Sequence, residues 1–348
     1  MFLKQFGGKI TPTLKEQYSS SPHWKDGAFQ NLKPTGVDIN LASLPTILYQ
    51  QFSNRADRTP SQPLSIKAFD YQTFSANNDK ASFIWYGHSA ICMRMHEKNI
   101  LVDPMLGSNT TPIAPIPNKR FSENTLSLID DFPEIDLILI THDHYDHLDL
   151  ASILKLKNKT HLFYVALGVK RHLVSWGIHP EQIIEFDWWD QQSIYDIRIT
   201  FTPTRHFAGR GLNDRAKSFW GGWALRTNNE NIWVSGDGGY GAHFREIGER
   251  LGPFDFAFME CGQYNDYWRQ IHLFPDESIQ AAIDAKVQKA MPIHWAGFSL
   301  SFQHKWYEPA EMFVNTAEEK NFNYLLPKMG EVFSKDNDWT ENWWKSQI

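Results

Sequence analysis

The stretch at residues 141–149, which reads THDHYDHLD, constrains this chain more than any other part of its sequence. It follows a β-type run at 136–141, so it lies where a buried strand is predicted to end. Within it, four side chains of metal-ligand type fall in six residues: His142, His144, Asp146 and His147. His142 and His144 alternate along an extended backbone, so their side chains project to one side. Imidazole and carboxylate are the ligands expected for zinc, with manganese or iron as alternatives.

Three more residues of ligand type each follow a predicted strand elsewhere in the chain. They are His206 after the strand at 197–203, Asp237 after 232–235, and His294 after 291–293. A lone histidine is more often structural than a ligand, but the ordered set is specific to a metal centre. A carboxylate such as Asp237 can bridge two cations, and cations about 3.5–4 Å apart can share one water and lower its pKa toward neutrality. The sequence therefore predicts two divalent metal ions, with zinc the leading candidate.

The distribution of predicted elements indicates one domain with an N-terminal extension. Residues 1–80 are polar and rich in proline and serine, with a helix predicted at 39–53, and we expect them to form an arm that wraps the domain. In residues 81–348, strands come in groups and each group is closed by a helix, as at 148–157, 275–290 and 308–320. Two sheets packed face to face with helices outside satisfy this order. The predicted fold class is α+β, a four-layer αββα sandwich.

The composition restricts the partners of the protein. With 34 basic and 40 acidic residues the formal net charge is -6, which disfavours a nucleic-acid substrate. Two cysteines fit a reducing compartment, and neither a signal peptide nor a membrane span is evident, so a cytoplasmic location is expected. The 14 tryptophans are an excess that packing, an apolar cleft or a lipid interface would each explain. Peripheral contact with the inner membrane surface is therefore an open alternative, and the sequence leaves the oligomeric state open.

Several motifs together resemble a known family. The stretch at 141–149, the stretch HFAGRGLNDR at 206–215 with the Trp-Gly-Gly at 220–222, and SGDGGY at 235–240 are similar to the metallo-β-lactamase superfamily. Within it they resemble the branch of the N-acyl-phosphatidylethanolamine-hydrolysing phospholipase D, and the resemblance covers about residues 80–330. Gly238 stands where the family usually has Thr, and Asp143 where it often has Asn. These two departures leave the expected ligands intact.

The resemblance implies a division of the ligand residues between two ions. His142, His144 and His206 would hold one ion. Asp146, His147 and His294 would hold the other, and Asp237 would bridge them.

Other residues are candidates for catalysis or substrate binding. Asp103, at a predicted strand end, could orient a ligand histidine, although a structural turn before Pro104 explains it equally well. His88 is either close to the substrate or structural. His272 and His304 are candidates for contacting the substrate or protonating a leaving group, and Arg210 for pairing with a phosphate. Arg215 has an equal claim to be half of a surface ion pair.

The leading functional hypothesis is hydrolysis of a phosphodiester in an N-acylated phosphatidylethanolamine-like phospholipid. The alternative is a cytoplasmic lactonase or ester hydrolase acting on a phosphorylated small molecule, because the same metal pair serves acyl and phosphoryl transfer. An open apolar groove over the metals would favour the lipid, and a small basic pocket the lactone. A third hypothesis is a non-catalytic metal-binding module, against which the complete ligand set argues.

Overall fold

A computed structural model gives the structure of the protein, which describes residues 2–38, 42–53, 57–77, 79–111, 118–211 and 213–348. The strands are β1 Trp24–Lys25, β2 Ala28–Phe29, β3 Ser82–Trp85, β4 Ile91–Met95, β5 Lys98–Val102, β6 Ile135–Ile140, β7 Thr160–Ala166, β8 Ile183–Phe186, β9 Gln191–Ile194, β10 Ile197–Thr202, β11 Gly222–Arg226, β12 Asn231–Val234, β13 Phe256–Glu260, β14 Lys289–Ile293, β15 Asn323–Tyr324 and β16 Val332–Phe333. The α-helices are α1 Pro12–Tyr18, α2 Leu44–Ser53, α3 Tyr71–Phe74, α4 Leu128–Asp131, α5 Leu150–Leu156, α6 Lys170–Ser175, α7 His243–Arg250, α8 Pro275–Asp284 and α9 Glu308–Glu319. Short 3-10 helices occupy Phe2–Phe6, Thr125–Ser127, Lys157–Lys159, Pro180–Gln182, Asp266–Trp268 and Trp343–Gln347.

Most described strands belong to two seven-stranded sheets, one in the order β16-β3-β4-β5-β6-β7-β8 and the other in the order β15-β14-β13-β12-β11-β10-β9. The run β5-β6-β7-β8 is parallel, as is β12-β13-β14-β15. Parallel neighbours need crossover connections, and helices provide them. The predicted αββα sandwich is confirmed.

The alternation of side chains along β12 shows which face of the second sheet packs against the first sheet and which packs against helices. Ile232 and Val234 of β12 join the large core that includes the first sheet, whereas Trp233 between them packs with the residues of α7 and α8. Phe83 of β3 contacts Phe256 and Phe258 of β13, with ring centroids 5.7 and 5.3 Å apart, so these strands face each other across the sandwich. The period-2 pattern thus places one row of side chains between the sheets and the other under the helices.

Element boundaries differ from the sequence predictions in informative places. The helix predicted at 275–290 ends at Asp284, because Lys286 adopts a left-handed backbone (φ 58°) that turns the chain into β14. The hairpin predicted at Asn228 and Asn229 is confirmed, since β11 and β12 pair antiparallel from Arg226 and Asn231. Of the helix predicted at 39–53, residues 39–41 lie outside the described residues, and α2 covers the rest from Leu44.

None of the 14 tryptophans is exposed. Trp85, Trp220, Trp233 and Trp344 are fully buried, so packing accounts for most of the excess that the composition showed. Among the described residues, no helix is both long and apolar enough to cross a membrane.

The N-terminal residues contact the domain through specific hydrogen bonds. The Asn31 side chain donates to the carbonyl of His206 (2.7 Å), and its Oδ1 accepts from the His206 N–H (3.1 Å) and the Trp220 indole (3.0 Å). Closer to the N-terminus, the Gly8 N–H donates to His172 Nδ1 (3.1 Å). These contacts fit an arm that packs on the domain, and the boundary near residue 80 stays a prediction.

Replacing Asn31 with Ala should lower the free energy of unfolding by about 1–3 kcal/mol, because two backbone groups of His206 and the Trp220 indole lose their partner. Denaturant unfolding of the purified variant measures this. Asn229→Ala, in the exposed β11–β12 turn, serves as the matched control and should change stability little. Equal midpoints for the two variants would contradict the role given to Asn31.

Candidate metal centre

The loop after β6 and a second chain segment bring three imidazoles together. His142 Nε2 lies 2.9 Å from His144 Nδ1, and His206 Nε2 lies 3.2 Å from the same nitrogen. His142 and His206 are fully buried. This group forms cluster 1 (His142, His144 and His206), whose nitrogens face one point.

A second group of side chains lies beside the first. His294 Nε2 is 3.2 Å from Asp146 Oδ2, and His147 Nε2 is 3.6 Å from the same oxygen. This group forms cluster 2 (Asp146, His147 and His294). His294 has a left-handed backbone (φ 70°), which directs its ring inward immediately after β14.

Asp237 lies between the two clusters. Its Oδ2 is 3.1 Å from His147 Nε2 and 3.2 Å from His294 Nε2 in cluster 2, and 4.0 Å from both His142 and His206 Nε2 in cluster 1. The structure therefore brings all the predicted ligand residues together, with the predicted bridging carboxylate in the middle.

The donor atoms fit a divalent metal ion. Tetrahedral zinc with nitrogen ligands at about 2.0–2.1 Å places those nitrogens roughly 3.3 Å from one another. The separations of 2.9 and 3.2 Å in cluster 1 are close to this value. His142 and His206 lie there with their Nε2 atoms toward the shared point, since His142 Nδ1 lies 3.0 Å from Thr141 Oγ1 and His206 Nδ1 lies 2.9 Å from the Ile271 carbonyl.

Asp103 fixes the orientation of a ligand-type histidine. Its Oδ2 lies 2.8 Å from His147 Nδ1, and its two oxygens accept from the Thr141 N–H (2.8 Å) and hydroxyl (2.6 Å). The carboxylate thereby ties the end of β5 to the end of β6 and directs His147 Nε2 toward Asp237. Of the two readings left open by the sequence, the orienting one matches this placement.

The electrostatics of the two clusters differ. Burial lowers the pKa of His142 and of His206 well below the ordinary value, and neighbouring imidazoles add to this effect, so both offer free lone pairs at neutral pH. Burial also acts to lower the pKa of His147, but the carboxylates of Asp237 and Asp146 outweigh it and raise that pKa well above its usual range. The same balance, led by Asp237 over burial, raises the pKa of His294 to about 10. A cation entering cluster 2 must therefore displace protons.

His88, the other predicted substrate contact, lies next to Asp146 of cluster 2. It is fully buried, and its Nε2 lies 2.9 Å from Asp146 Oδ2. Its ligand atom also groups with those of cluster 2, within 4.8 Å. This placement supports the structural alternative, in which His88 positions Asp146, and its contact with a substrate stays a prediction.

Arg210, the predicted phosphate contact, lies buried beneath the histidine loop. Its guanidinium is buried and donates to the carbonyls of Asp143 (2.7 Å), Leu148 (2.8 Å) and Gln5 (2.9 Å). It also stacks on Tyr145, 4.0 Å from the ring centre. The guanidinium thereby stabilises the backbone around the histidine loop, and its contact with a phosphate stays a prediction.

The two remaining histidine candidates separate clearly. His272 lines the pocket over the clusters, with its ring 5.0 Å from that of His206 and 5.4 Å from that of His294. His304 is buried outside the pocket lining, with Nδ1 2.8 Å from the Lys305 carbonyl and its ring against Tyr264. His272 can meet a substrate, whereas the prediction that His304 does so is not supported by its placement.

Sequence reasoning missed Glu260. This carboxylate is fully buried at the end of β13, bonds to His272 Nδ1, and lies 3.6 Å from His294 Nδ1. Its other oxygen accepts from the Gly238 N–H (2.7 Å), directly after Asp237. The signal was available, because Glu260 follows a β-type run at 254–259, as Asp237 and His294 follow theirs.

A pocket of about 460 Å³ opens over the two clusters. Its floor includes His144, Asp146, Asp237 and His272, and among the described lining residues Arg215 alone is a Lys or Arg. The apolar part of its wall consists of Val37, Phe207, Trp268, Ile271 and Leu300.

Comparison with known proteins identifies the family. Residues 98–295 match the model of the β-lactamase superfamily domain, which is more than half of the chain. An uncharacterised protein of Mycobacterium tuberculosis is 30% identical over 329 residues, covering 93% of this chain and 87% of that protein. The chain belongs to the β-lactamase superfamily. With the histidine and aspartate clusters in place, it is a metal-dependent hydrolase of that superfamily.

Two curated relatives carry the name of one enzyme. An N-acyl-phosphatidylethanolamine-hydrolysing phospholipase D of Caenorhabditis elegans is 27% identical, covering 72% of this chain and 74% of the relative. The mitochondrial protein of the same name in Saccharomyces cerevisiae is 32% identical over 71% of this chain and 54% of its own length. In fold, a metallo hydrolase of Ignicoccus hospitalis superposes with a TM-score of 0.56 at 19% identity, over 73% of this chain and 97% of that one.

Asp237→Ala should lower turnover at least about a thousandfold and reduce bound metal, because both clusters lose their shared carboxylate. Metal analysis and steady-state kinetics on the same preparation measure the two effects. Asp196→Ala, an exposed aspartate, is the control and should leave both unchanged. Turnover in Asp237→Ala at the level of the native protein would refute the bridging role.

Glu260→Gln should reduce metal affinity or activity about 10–100-fold, as changes behind metal ligands usually do. The amide keeps the size of the side chain but removes the negative charge beside His272 and His294. Metal titration of the apoprotein is the measurement, and Glu230→Gln is a control at another buried glutamate, which accepts from the Ala81 N–H. Equal titration curves for the two variants would show that Glu260 has no special part.

Proposed function

We propose that the protein hydrolyses a phosphodiester bond in an N-acylated phosphatidylethanolamine-like phospholipid, with two divalent metal ions, preferably zinc, held by clusters 1 and 2. The observation that carries the proposal is the position of Asp237 Oδ2 within 3.1–4.0 Å of imidazole nitrogens from both clusters. This arrangement suits a metal pair on the floor of the pocket. Manganese and iron suit the same ligand types.

The substrate class draws its support from two sources. The relatives from C. elegans and S. cerevisiae carry the name of a phospholipase D that hydrolyses N-acyl-phosphatidylethanolamine. The pocket wall supplies apolar side chains, among them Trp268, Ile271 and Leu300, against which an acyl chain can pack. A small basic pocket would have favoured the phosphorylated lactone, and this wall favours the amphiphile.

Individual residues would contribute distinct steps. When bound, a divalent pair supplies Lewis acidity toward the phosphoryl oxygen and the attacking water. Asp146 lines the pocket and is placed to accept a proton from that water, while His88 Nε2, 2.9 Å away, holds its Oδ2. His272 faces the pocket and donates a proton from Nε2 to the leaving alkoxide, with Nδ1 held by Glu260. Asp103 keeps His147 directed at Asp237.

Incubation of the zinc-loaded protein with an N-acylated phosphatidylethanolamine in mixed micelles should release phosphatidic acid and the N-acylethanolamine. Mass spectrometry of both products makes the measurement, and Asp237→Ala is the negative control. Absence of release, together with turnover of a sugar-phosphate lactone, would replace this proposal with the lactonase alternative. Absence of both, with two metal ions bound, would leave a non-catalytic metal-binding protein.

Acidification from pH 7 to 4.5 should remove most of the metal, because protonated imidazoles no longer donate lone pairs. The burial-lowered pKa values of His142 and His206 delay this loss in cluster 1, since protons compete less well there. Metal content after gel filtration at each pH provides the test. Full occupancy at pH 4.5 would contradict a centre built mainly from histidine.

A further inference from the structure

One cation faces the pocket beside the metal centre. The Arg215 guanidinium lies 3.9 Å over the ring of Phe207, which in turn lies 4.6 Å from the ring of His144. Arg215 is thus separated from cluster 1 by a single aromatic ring. From the sequence, a surface ion pair was as good an explanation of Arg215 as a contact with phosphate.

The backbone around Arg215 is fixed against the loop that carries His206. Ala216 N–H donates to the Ala208 carbonyl (2.7 Å) and closes the loop. Gly209 has φ 142°, and a Cβ there would lie 3.0 Å from Arg215 Cα. The two sides of the loop are therefore in close contact. The starting point of the arginine side chain is therefore set by the same loop that begins at His206.

The carboxylate nearest in sequence is already engaged. Asp214 accepts from the N–H groups of Arg210 (3.1 Å) and Gly211 (2.6 Å), and its Oδ2 lies 4.0 Å from Arg171 Nη2. The Arg215 guanidinium contacts the Phe207 ring, and no carboxylate in the described part of the chain lies within 4 Å of it. Desolvation against the pocket wall lowers the pKa of Arg215, and no neighbouring acid offsets this effect.

We propose that Arg215 binds an anionic oxygen of the substrate and selects for an anionic amphiphile with a phosphate group. The guanidinium is charged throughout the physiological pH range and can donate two parallel hydrogen bonds to a phosphate. The apolar chain of the same molecule lies against Trp268, Ile271 and Leu300. The choice of phosphate rests on the proposed function, whereas the need for an anion rests on the unpaired guanidinium.

Binding to the zinc-loaded full chain tests this assignment without requiring turnover. Isothermal titration with dodecyl phosphate and with inorganic phosphate should show that Arg215→Gln weakens both at least tenfold. Arg215→Lys should fall between Arg215→Gln and the native protein, because it keeps the charge but not the fork. Arg198→Gln, an exposed arginine near the opposite end of β10, should match the native protein.

A second variant separates the two halves of the ligand. Leu300→Ser should weaken dodecyl phosphate and leave inorganic phosphate unchanged, because it touches only the apolar wall. Unchanged phosphate affinity in Arg215→Gln would overturn the assignment. A loss of bound zinc in Arg215→Gln that accounts for its loss of affinity would also overturn it, since the residue would then act through the metal centre.

The anion site at Arg215 and the proposed hydrolysis can each fail without the other. Arg215-dependent phosphate binding in a protein that does not hydrolyse the phospholipid would retain the anion site and reject the phosphodiesterase. Hydrolysis of the phospholipid with an unchanged KM in Arg215→Gln would retain the phosphodiesterase and reject the anion site.

Discussion

The buried carboxylate of Asp237 is the group on which the rest of the site depends. An isolated carboxylate loses several kcal/mol of hydration when it is buried, so it persists only among positive partners. Asp237 is 4% exposed, and its partners here are imidazoles from three different segments, His147 and His294 at 3.1–3.2 Å and His142 and His206 at 4.0 Å. A metal pair would meet the same demand more completely, because it adds charge without adding protons. In cluster 2 the raised pKa values of His147 and His294 supply positive partners, whereas the imidazoles of cluster 1 are neutral and leave that part to a bound cation.

The sandwich provides the rigidity that such a site requires. The ends of β5, β6, β12, β13 and β14 supply Asp103, the histidine loop, Asp237, Glu260 and His294, and parallel pairing within each sheet fixes neighbouring ends at one edge. Left-handed backbone at His88 (φ 56°), Asp103 (φ 41°) and His294 (φ 70°) turns these side chains inward. Such conformations cost about 1–3 kcal/mol each, and the surrounding packing compensates for them. Strain is therefore concentrated where side chains must converge.

The two arginines of the 206–215 stretch show how position decides the use of a side chain. Arg210 and Arg215 lie five residues apart in a loop closed on itself, yet one is buried against carbonyls and the other faces the pocket. The buried guanidinium holds the histidine loop in shape. The guanidinium at the pocket is paired with no acid in the part of the chain that the structure describes, so it is available to an anionic substrate. The sequence had pointed to Arg210, and not to Arg215, as the leading candidate for the phosphate contact, because residue type does not show which guanidinium is buried.

The sequence by itself determined the fold and which side chains meet in the candidate metal centre, because histidines and aspartates at strand ends in that order are specific to this arrangement. Period-2 and helical patterns were enough to predict two sheets with helices outside. Only the tertiary structure decided the parts of His88, Arg210 and Glu260, since each depends on which backbone or side-chain group lies within about 3 Å. Tryptophan content showed the same limit, since composition does not reveal which rings are buried. Local pattern sets which groups are present, and long-range packing sets which of them meet.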